Sequence, residues 1–278
     1  MEVLPPPTLV GELLDPGELP VAFVYRDRAD VFCPTPADSG AVKYQPCGSA
    51  EKFARFSIAR ELADGDGVLL VGRDGHAVRA EDARVVRSVA RPDGIDEAAK
   101  WIHIELSEQA LVAYVGDRPI FATLASSGRK GYETPTGTYK VMRKNGSKLM
   151  IGEDDVDGIC DVEEVPWALF YHRGYAVHGA YWHDDFGNTK SHGCTNIAPA
   201  DAHFLFWWSS PSYPRAGTAC DFATAERALC SPTASVNDST LRPTSHASRR
   251  RAQRASRRCC WEVPSGPAEP RCARERIP

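Results

Sequence analysis

Several things are missing from this 278-residue chain. No apolar run is long enough to span a bilayer as a helix. No basic residue precedes Arg26, and the opening Met1-Glu2-Val3-Leu4 runs straight into Pro5-Pro6-Pro7. The positive start and unbroken apolar stretch of an export signal are therefore not visible. No lysine follows residue 230, where ten arginines and four acidic residues give a net charge of +6. The whole chain carries −4, so residues 1–230 carry −10. An acidic body of this kind does not fit a nucleic-acid binder. What remains is ordinary for a soluble globular protein, with 42% hydrophobic and 25% charged residues and room for one large or two modest domains.

The residues that carry chemistry sit together in Ser191-His192-Gly193-Cys194-Thr195-Asn196, with His178-Gly179 upstream. A thiolate attacks a carbonyl, an imidazole takes and returns a proton, and glycine lets backbone N–H groups approach the developing oxyanion. A free cysteine has a pKa of roughly 8.5, so it needs a neighbouring base at neutral pH, either to hold the thiolate as an ion pair or to remove the proton as attack begins. Two histidines are candidates. His192 shares a face with Cys194 if the segment is extended. His178 lies sixteen residues before Cys194 and can be presented from an adjacent strand, the better geometry for proton transfer. Gly193 can take a backbone conformation closed to other residues, which would let the N–H groups of Gly193 and Cys194 point at one oxygen. Asn196 is suited to pinning the turn.

Other readings use the same residues. A lone cysteine is commonly a small core hydrophobe. His178, His183, His192 and Cys194 are also zinc-ligand types, but their spacing repeats no C-x2-C or H-x3-H pattern. His172 and His183 read as surface or pocket-wall histidines, and Trp182, Trp207 and Trp208 as packing residues.

The pattern resembles the L,D-transpeptidases of bacterial cell walls, the YkuD-type catalytic domain. A histidine, a spacer of this length, Ser/Thr-His-Gly-Cys, a variable residue and Asn or Arg form that signature, and His178, Ser191, His192, Gly193, Cys194 and Asn196 fall on it. The resemblance runs over about residues 100–220, through Thr134-Pro135-Thr136-Gly137-Thr138-Tyr139, Pro166-Trp167, Tyr175 to Gly179, Tyr181-Trp182-His183 and Phe186-Gly187. Thr195 departs from it, where a hydrophobic residue is common. The resemblance implies Cys194 as nucleophile and His178 as base. It implies the Gly179 carbonyl orienting the imidazole, and His192 and Gly193 shaping an oxyanion hole and the substrate pocket. Tyr181 and Trp182 follow the catalytic strand closely, so one of them is expected to line the substrate groove. No cofactor or metal is called for. The implied reaction is attack on a diaminopimelate-type carbonyl of a peptidoglycan stem peptide, release of D-alanine, and transfer to an amine or to water. A hydrolase trimming the same stem peptides and a non-catalytic wall-binding protein are the competing classes. A monomer in the periplasm or cell wall follows from such a function, and an export leader would then lie outside or have been removed from this chain.

Four regions are expected. Residues 1–20 read as an extended Pro- and Gly-rich lead-in. Residues 21–92 read as a small β-barrel-like domain, from short runs such as Val21-Ala22-Phe23-Val24-Tyr25, Phe53 to Phe56 and Val68 to Val71, split by Asp64-Gly65-Asp66-Gly67 and Asp74-Gly75. This is similar to the Src-homology-type barrels attached to bacterial wall enzymes, serving as wall binder or as spacer. Arg91-Pro92-Asp93-Gly94 is the expected hinge. Residues 98–222 read as a mainly β catalytic domain, a curved sandwich of the L,D-transpeptidase type with one short helix at Pro199 to Trp208. Residues 223–278, rich in Arg, Ser and Pro, read as disordered. Its Ser248–Arg258 stretch suits an anionic polymer, or the tail is an out-of-frame reading of a GC-rich gene, since the family's Val/Ile-rich last strand is not seen near Ala219-Cys220-Asp221. Of the nine cysteines, Cys33 and Cys47 are placed to form a disulfide in an oxidising compartment, while Cys259, Cys260 and Cys272 have no evident partners.

Overall fold

The computed structural model describes residues 10–36, 42–65, 67–154, 158–209, 220–221 and 227–231. The Ser248–Arg258 stretch and the three tail cysteines lie outside them. The described residues are mostly β, built from several largely antiparallel sheets with one short α-helix among them. Its first strands are β1 (Glu12–Leu13), β2 (Val21–Val24), β3 (Arg28–Pro36), β4 (Val42–Glu51), β5 (Arg55–Asp64), β6 (Gly67–Gly72), β7 (Ala77–Arg79) and β8 (Ala83–Val86). Then come β9 (Lys100–Glu105), β10 (Ala110–Val115), β11 (Arg118–Leu124), β12 (Gly137–Lys140), β13 (Arg143–Asp154), β14 (Gly158–His172), β15 (Tyr175–Gly179) and β16 (Thr195–Ile197). The helix α1 (Pro199–Trp208) follows, then β17 (Cys220–Asp221) and β18 (Arg227–Ser231).

β2 to β8 form one sheet in the order β4-β3-β7-β6-β5-β2-β8. Its end strands β4 and β8 do not pair, so the expected barrel is not closed. The reason lies in β2, which is buried on both faces. Ala22 and Val24 serve the small sheet's own clusters, while Val21 and Phe23 join Val86 in a core shared with Trp101, Val112, Tyr114 and Phe186. A continuous apolar run is what such double burial requires. Phe53, expected in a strand, sits in a turn with φ 68°, and β5 begins two residues later. The long β3–β4 hairpin is stapled by the Cys33–Cys47 disulfide, with Cα atoms 5.7 Å apart.

The second sheet runs β1-β11-β10-β9-β18-β12. Its faces divide the alternating side chains of β9 to β11. Trp101, Val112, Tyr114 and Leu124 turn toward the N-terminal sheet, with Trp101 stacked on Tyr114 at 4.1 Å. Ile102, Ile104, Leu111 and Phe121 turn toward Leu169, Val177, Ile197 and the Leu205–Phe206 face of α1. The third sheet, β16-β15-β14-β13-β17, carries that second layer. The lead-in is not merely extended. β1 pairs with β11, and the Gly11 N–H donates to both oxygens of the Asp201 carboxylate at 3.1 and 3.0 Å, tying the chain start to the first turn of α1. At the other end, Arg227–Ser231, expected within a disordered tail, runs parallel to β9 and antiparallel to β12. Backbone pairing on both sides fills this slot without a Val/Ile-rich run.

Candidate active site

Two strands position the chemistry. β15 and β16 pair in parallel, with Val177 opposite Thr195, His178 opposite Asn196 and Gly179 opposite Ile197. Cys194 precedes β16 by one residue, two residues from Asn196. Side chains alternate along a strand, so Cys194, Asn196 and the cross-strand His178 share one face. All three line one cavity of about 430 Å3. Its other walls come from Lys148 to Met150 on β13, Val165 and Phe170 on β14, and Tyr175, Trp182, Ser191 and His192.

The Cys194 loop is held from behind by residues 126–129. Ser191 N donates to Ser127 O at 3.0 Å and Arg129 N donates to Ser191 O at 2.9 Å. Gly193 has φ +109°, and a Cβ there would lie 2.4 Å from Tyr175 Cε1, so both conformation and space require glycine. Thr134 Oγ1 accepts from Gly128 N–H and donates to Gly193 O, both at 2.9 Å. Ser191 Oγ accepts from Gly193 N–H at 3.0 Å and donates to the Cys194 carbonyl. The Gly193 N–H is therefore engaged, and the expected pair of Gly193 and Cys194 donors does not converge on one oxygen here. The serine hydroxyl, close in sequence, is the nearer acceptor.

The histidines separate by their partners. His178 is buried, and its Nδ1 lies 3.1 Å from Gly179 O. A carbonyl only accepts, so Nδ1 carries the proton and Nε2 keeps its lone pair. Burial pushes the ring down to about 4, against a smaller opposing effect of the Gly179 hydrogen bond. His192 Nε2 lies 2.9 Å from the Arg129 guanidinium, which can only donate, so that nitrogen is occupied as an acceptor. Tyr132 meets the same ring edge-on at 4.8 Å. The Cys194 thiol is half-buried, with Gly174 O at 3.9 Å, and burial pushes its pKa up.

His183 is half-buried. It lies beside Asn196, which pairs with its Nε2 at 3.0 Å. His172 stacks on Tyr175 with rings 6.1 Å apart, away from the cavity lining. Of the two aromatic residues, one of which was expected in the groove, Trp182 lines it, 5.9 Å from the His178 ring, while Tyr181 is 54% exposed and is not among the lining residues. Among the described residues no group of three His, Cys, Asp or Glu side chains is placed to hold a metal ion, so the zinc reading finds no ligand set there. Sequence reasoning missed Arg129 and the β13 wall, which come from positions far from the cysteine motif.

Residues 99–215 match the family model of the L,D-transpeptidase catalytic domain, YkuD. Comparison with curated proteins gave no match. Among solved structures, an L,D-transpeptidase (Yku) from Stackebrandtia nassauensis is 20% identical over 50% of this chain and 60% of that chain, with a TM-score of 0.37. An Enterococcus faecium L,D-transpeptidase C442S mutant is 19% identical over 52% of this chain and 54% of that one, with a TM-score of 0.40. An L,D-transpeptidase from Mycobacterium smegmatis is 16% identical over 73% and 99%, also at 0.40. The chain thus spans 60% and 54% of the length of the first two. Residues 99–215 are thus similar to the L,D-transpeptidase catalytic domain, YkuD.

Proposed function

We propose that this protein is a peptidoglycan L,D-transpeptidase in which Cys194 is the nucleophile and His178 the base. The observation that carries the reading is the placement of Cys194 and His178 on one face of the β15–β16 pair, in one cavity. Burial raises the thiol and lowers the imidazole, so the resting pair is thiol and neutral ring, and proton transfer accompanies attack. The sulfur bonds to the diaminopimelate carbonyl carbon as the thiol proton moves to His178 Nε2. The carbonyl electron pair becomes an oxyanion, which a backbone N–H of the Cys194 loop would stabilise. Collapse breaks the C–N bond to D-alanine, whose amine takes the proton from His178, and a thioester remains. An acceptor amine then attacks the thioester, gives its proton to His178, and the proton returns to sulfur. Gly179 holds the ring tautomer throughout by its carbonyl. No step needs a metal or cofactor.

Stem peptides are the partners, and the enzyme acts as a monomer in the periplasm or cell wall. The Cys33–Cys47 disulfide fits such an oxidising compartment. The test is incubation with purified muropeptides and mass analysis of both products and protein. Cross-linked dimers support the transpeptidase. Trimmed monomers alone identify the carboxypeptidase that differs only in using water as acceptor. No turnover, or an acyl adduct that survives Cys194→Ala, would overturn the assignment.

A further inference from the structure

Between β15 and the Cys194 loop runs the segment Ala180–Lys190, and its hydrogen bonds settle the state of a side chain that contacts the cavity-lining Asn196. The backbone N–H of Asp185 donates to His183 Nδ1 at 3.1 Å. Asp185 is itself fixed, since Ser126 Oγ donates to its carbonyl at 2.8 Å, and Asn188 and Lys190 bind its carboxylate at 2.7 and 3.4 Å. A backbone N–H cannot accept, so His183 Nδ1 must present a lone pair. The ring proton then sits on Nε2, which faces the terminal amide of Asn196 at 3.0 Å. The amide atom facing the ring is assigned as Nδ2, which would make both ring nitrogens acceptors, a state only an imidazolate allows; a half-turn of the amide exchanges its nitrogen and oxygen. The oxygen of Asn196 must therefore face His183.

That orientation has a consequence in the cavity. The end of the Asn196 amide away from His183 makes no hydrogen bond among the described residues, although Asn196 is 4% exposed and lines the cavity with Cys194 and His178. The backbone of Asn196 is locked as well, exchanging hydrogen bonds of 2.8 and 2.9 Å with Ser126. We propose that His183 is a positioning residue that grips Asn196 by its amide oxygen and so aims the Asn196 NH2 into the cavity, as the donor to a carbonyl or carboxylate oxygen of the bound stem peptide. This rests on the function proposed above. Trp182 and Phe186 enclose the His183 ring, at 6.2 and 5.1 Å, and fix its plane. The charged and titratable groups nearest it are Lys190, Asp185, Asp184 and His178, and burial keeps the ring uncharged down to about pH 4.

Two measurements on the full chain test this. Long-range 1H–15N correlation of histidine-labelled protein at pH 7, with the His183 ring assigned by its loss in His183→Phe, should show the Nε2–H tautomer. A Nδ1–H tautomer overturns the proposal whether or not any variant folds. In kinetics with a donor stem tetrapeptide, His183→Phe and Asn196→Ala should each raise KM by about tenfold, the scale of one neutral hydrogen bond, with kcat changed less. The double variant should be no worse than the weaker single one, because both remove the same donor. Additive effects, or an unchanged KM in His183→Phe, overturn it. If the wild-type chain processes no stem peptide, the functional reading fails and takes the proposed ligand with it. That failure is told apart by an Nε2–H tautomer that stands regardless.

Discussion

The pH dependence of acylation is the sharpest consequence of where His178 sits. Its ring is buried, so the charged form is disfavoured and its pKa falls from an ordinary 6.5 to about 4. At pH 5 such a ring is about 90% neutral, whereas an unperturbed one is about 3% neutral, a difference of about thirtyfold in available base. Acid also acts on the fold. His178 and His183 both have folded pKa values of about 4, below the unfolded 6.5, so the unfolded chain binds these protons more tightly. Their contribution to stability is full above pH 6.5 and is lost as pH falls toward 4, by about 2 kcal/mol each at pH 5. The assay is therefore a jump from pH 7.5 to 5, with released D-alanine quenched and counted over the first turnover while circular dichroism reports folding. We expect the single-turnover rate at pH 5 to stay within about twofold of that at pH 7.5 as long as the dichroism is unchanged. A half-maximal rate near pH 6.5 in folded protein would refute the buried neutral base.

Two further outcomes follow from other sites. Asp201 is fully buried, and burial lifts its carboxyl from 3.8 to about 6 despite hydrogen bonds from Thr123 and Gly11. Here the folded chain binds the proton more tightly, so stability is full below pH 3.8 and is lost as pH rises through 6. Asp201→Asn removes that dependence, and urea unfolding should show the variant gaining on the wild type by about 2 kcal/mol more at pH 7.5 than at pH 4. A difference that does not change with pH would show that the carboxylate is not the cause. Gly193→Ala forces a Cβ onto the Tyr175 ring at φ +109°, so it should cost about 1–3 kcal/mol and stop Cys194 acylation. Tyr175→Ala in the same chain should recover part of the stability, because it removes the clash and leaves the backbone strain. Full acylation by Gly193→Ala would mean that the loop conformation does not govern the nucleophile.

The candidate site was legible in the sequence to the extent that its chemistry is local. Ser191, Gly193 and Cys194 bond within one turn, and their residue types announce it. β2 was legible as a strand from the apolar run Val21-Ala22-Phe23-Val24, but its burial on both faces was not. What stayed hidden depends on partners distant in the chain. Arg129 meets His192 across 63 positions and Gly11 meets Asp201 across 190, and no period or spacing encodes either pairing. The largest difference concerns the N-terminal sheet, read from sequence as a barrel that binds wall or acts as spacer. Tyr25 and Arg84 close on Gly187, where a Cβ would lie 2.6 Å from Tyr25 Cβ and where Arg84 Nε donates to the carbonyl at 2.8 Å. Phe53 meets Phe186 at 6.2 Å, and Lys52 reaches Asp184 at 3.5 Å. Every one of these contacts falls on the loop that carries Trp182 and His183 between the His178 strand and Cys194. These contacts add to the core that Val21, Phe23 and Val86 share with Trp101, Val112 and Tyr114, so the N-terminal sheet packs on the rest of the described chain both through β9 and β10 and through this loop.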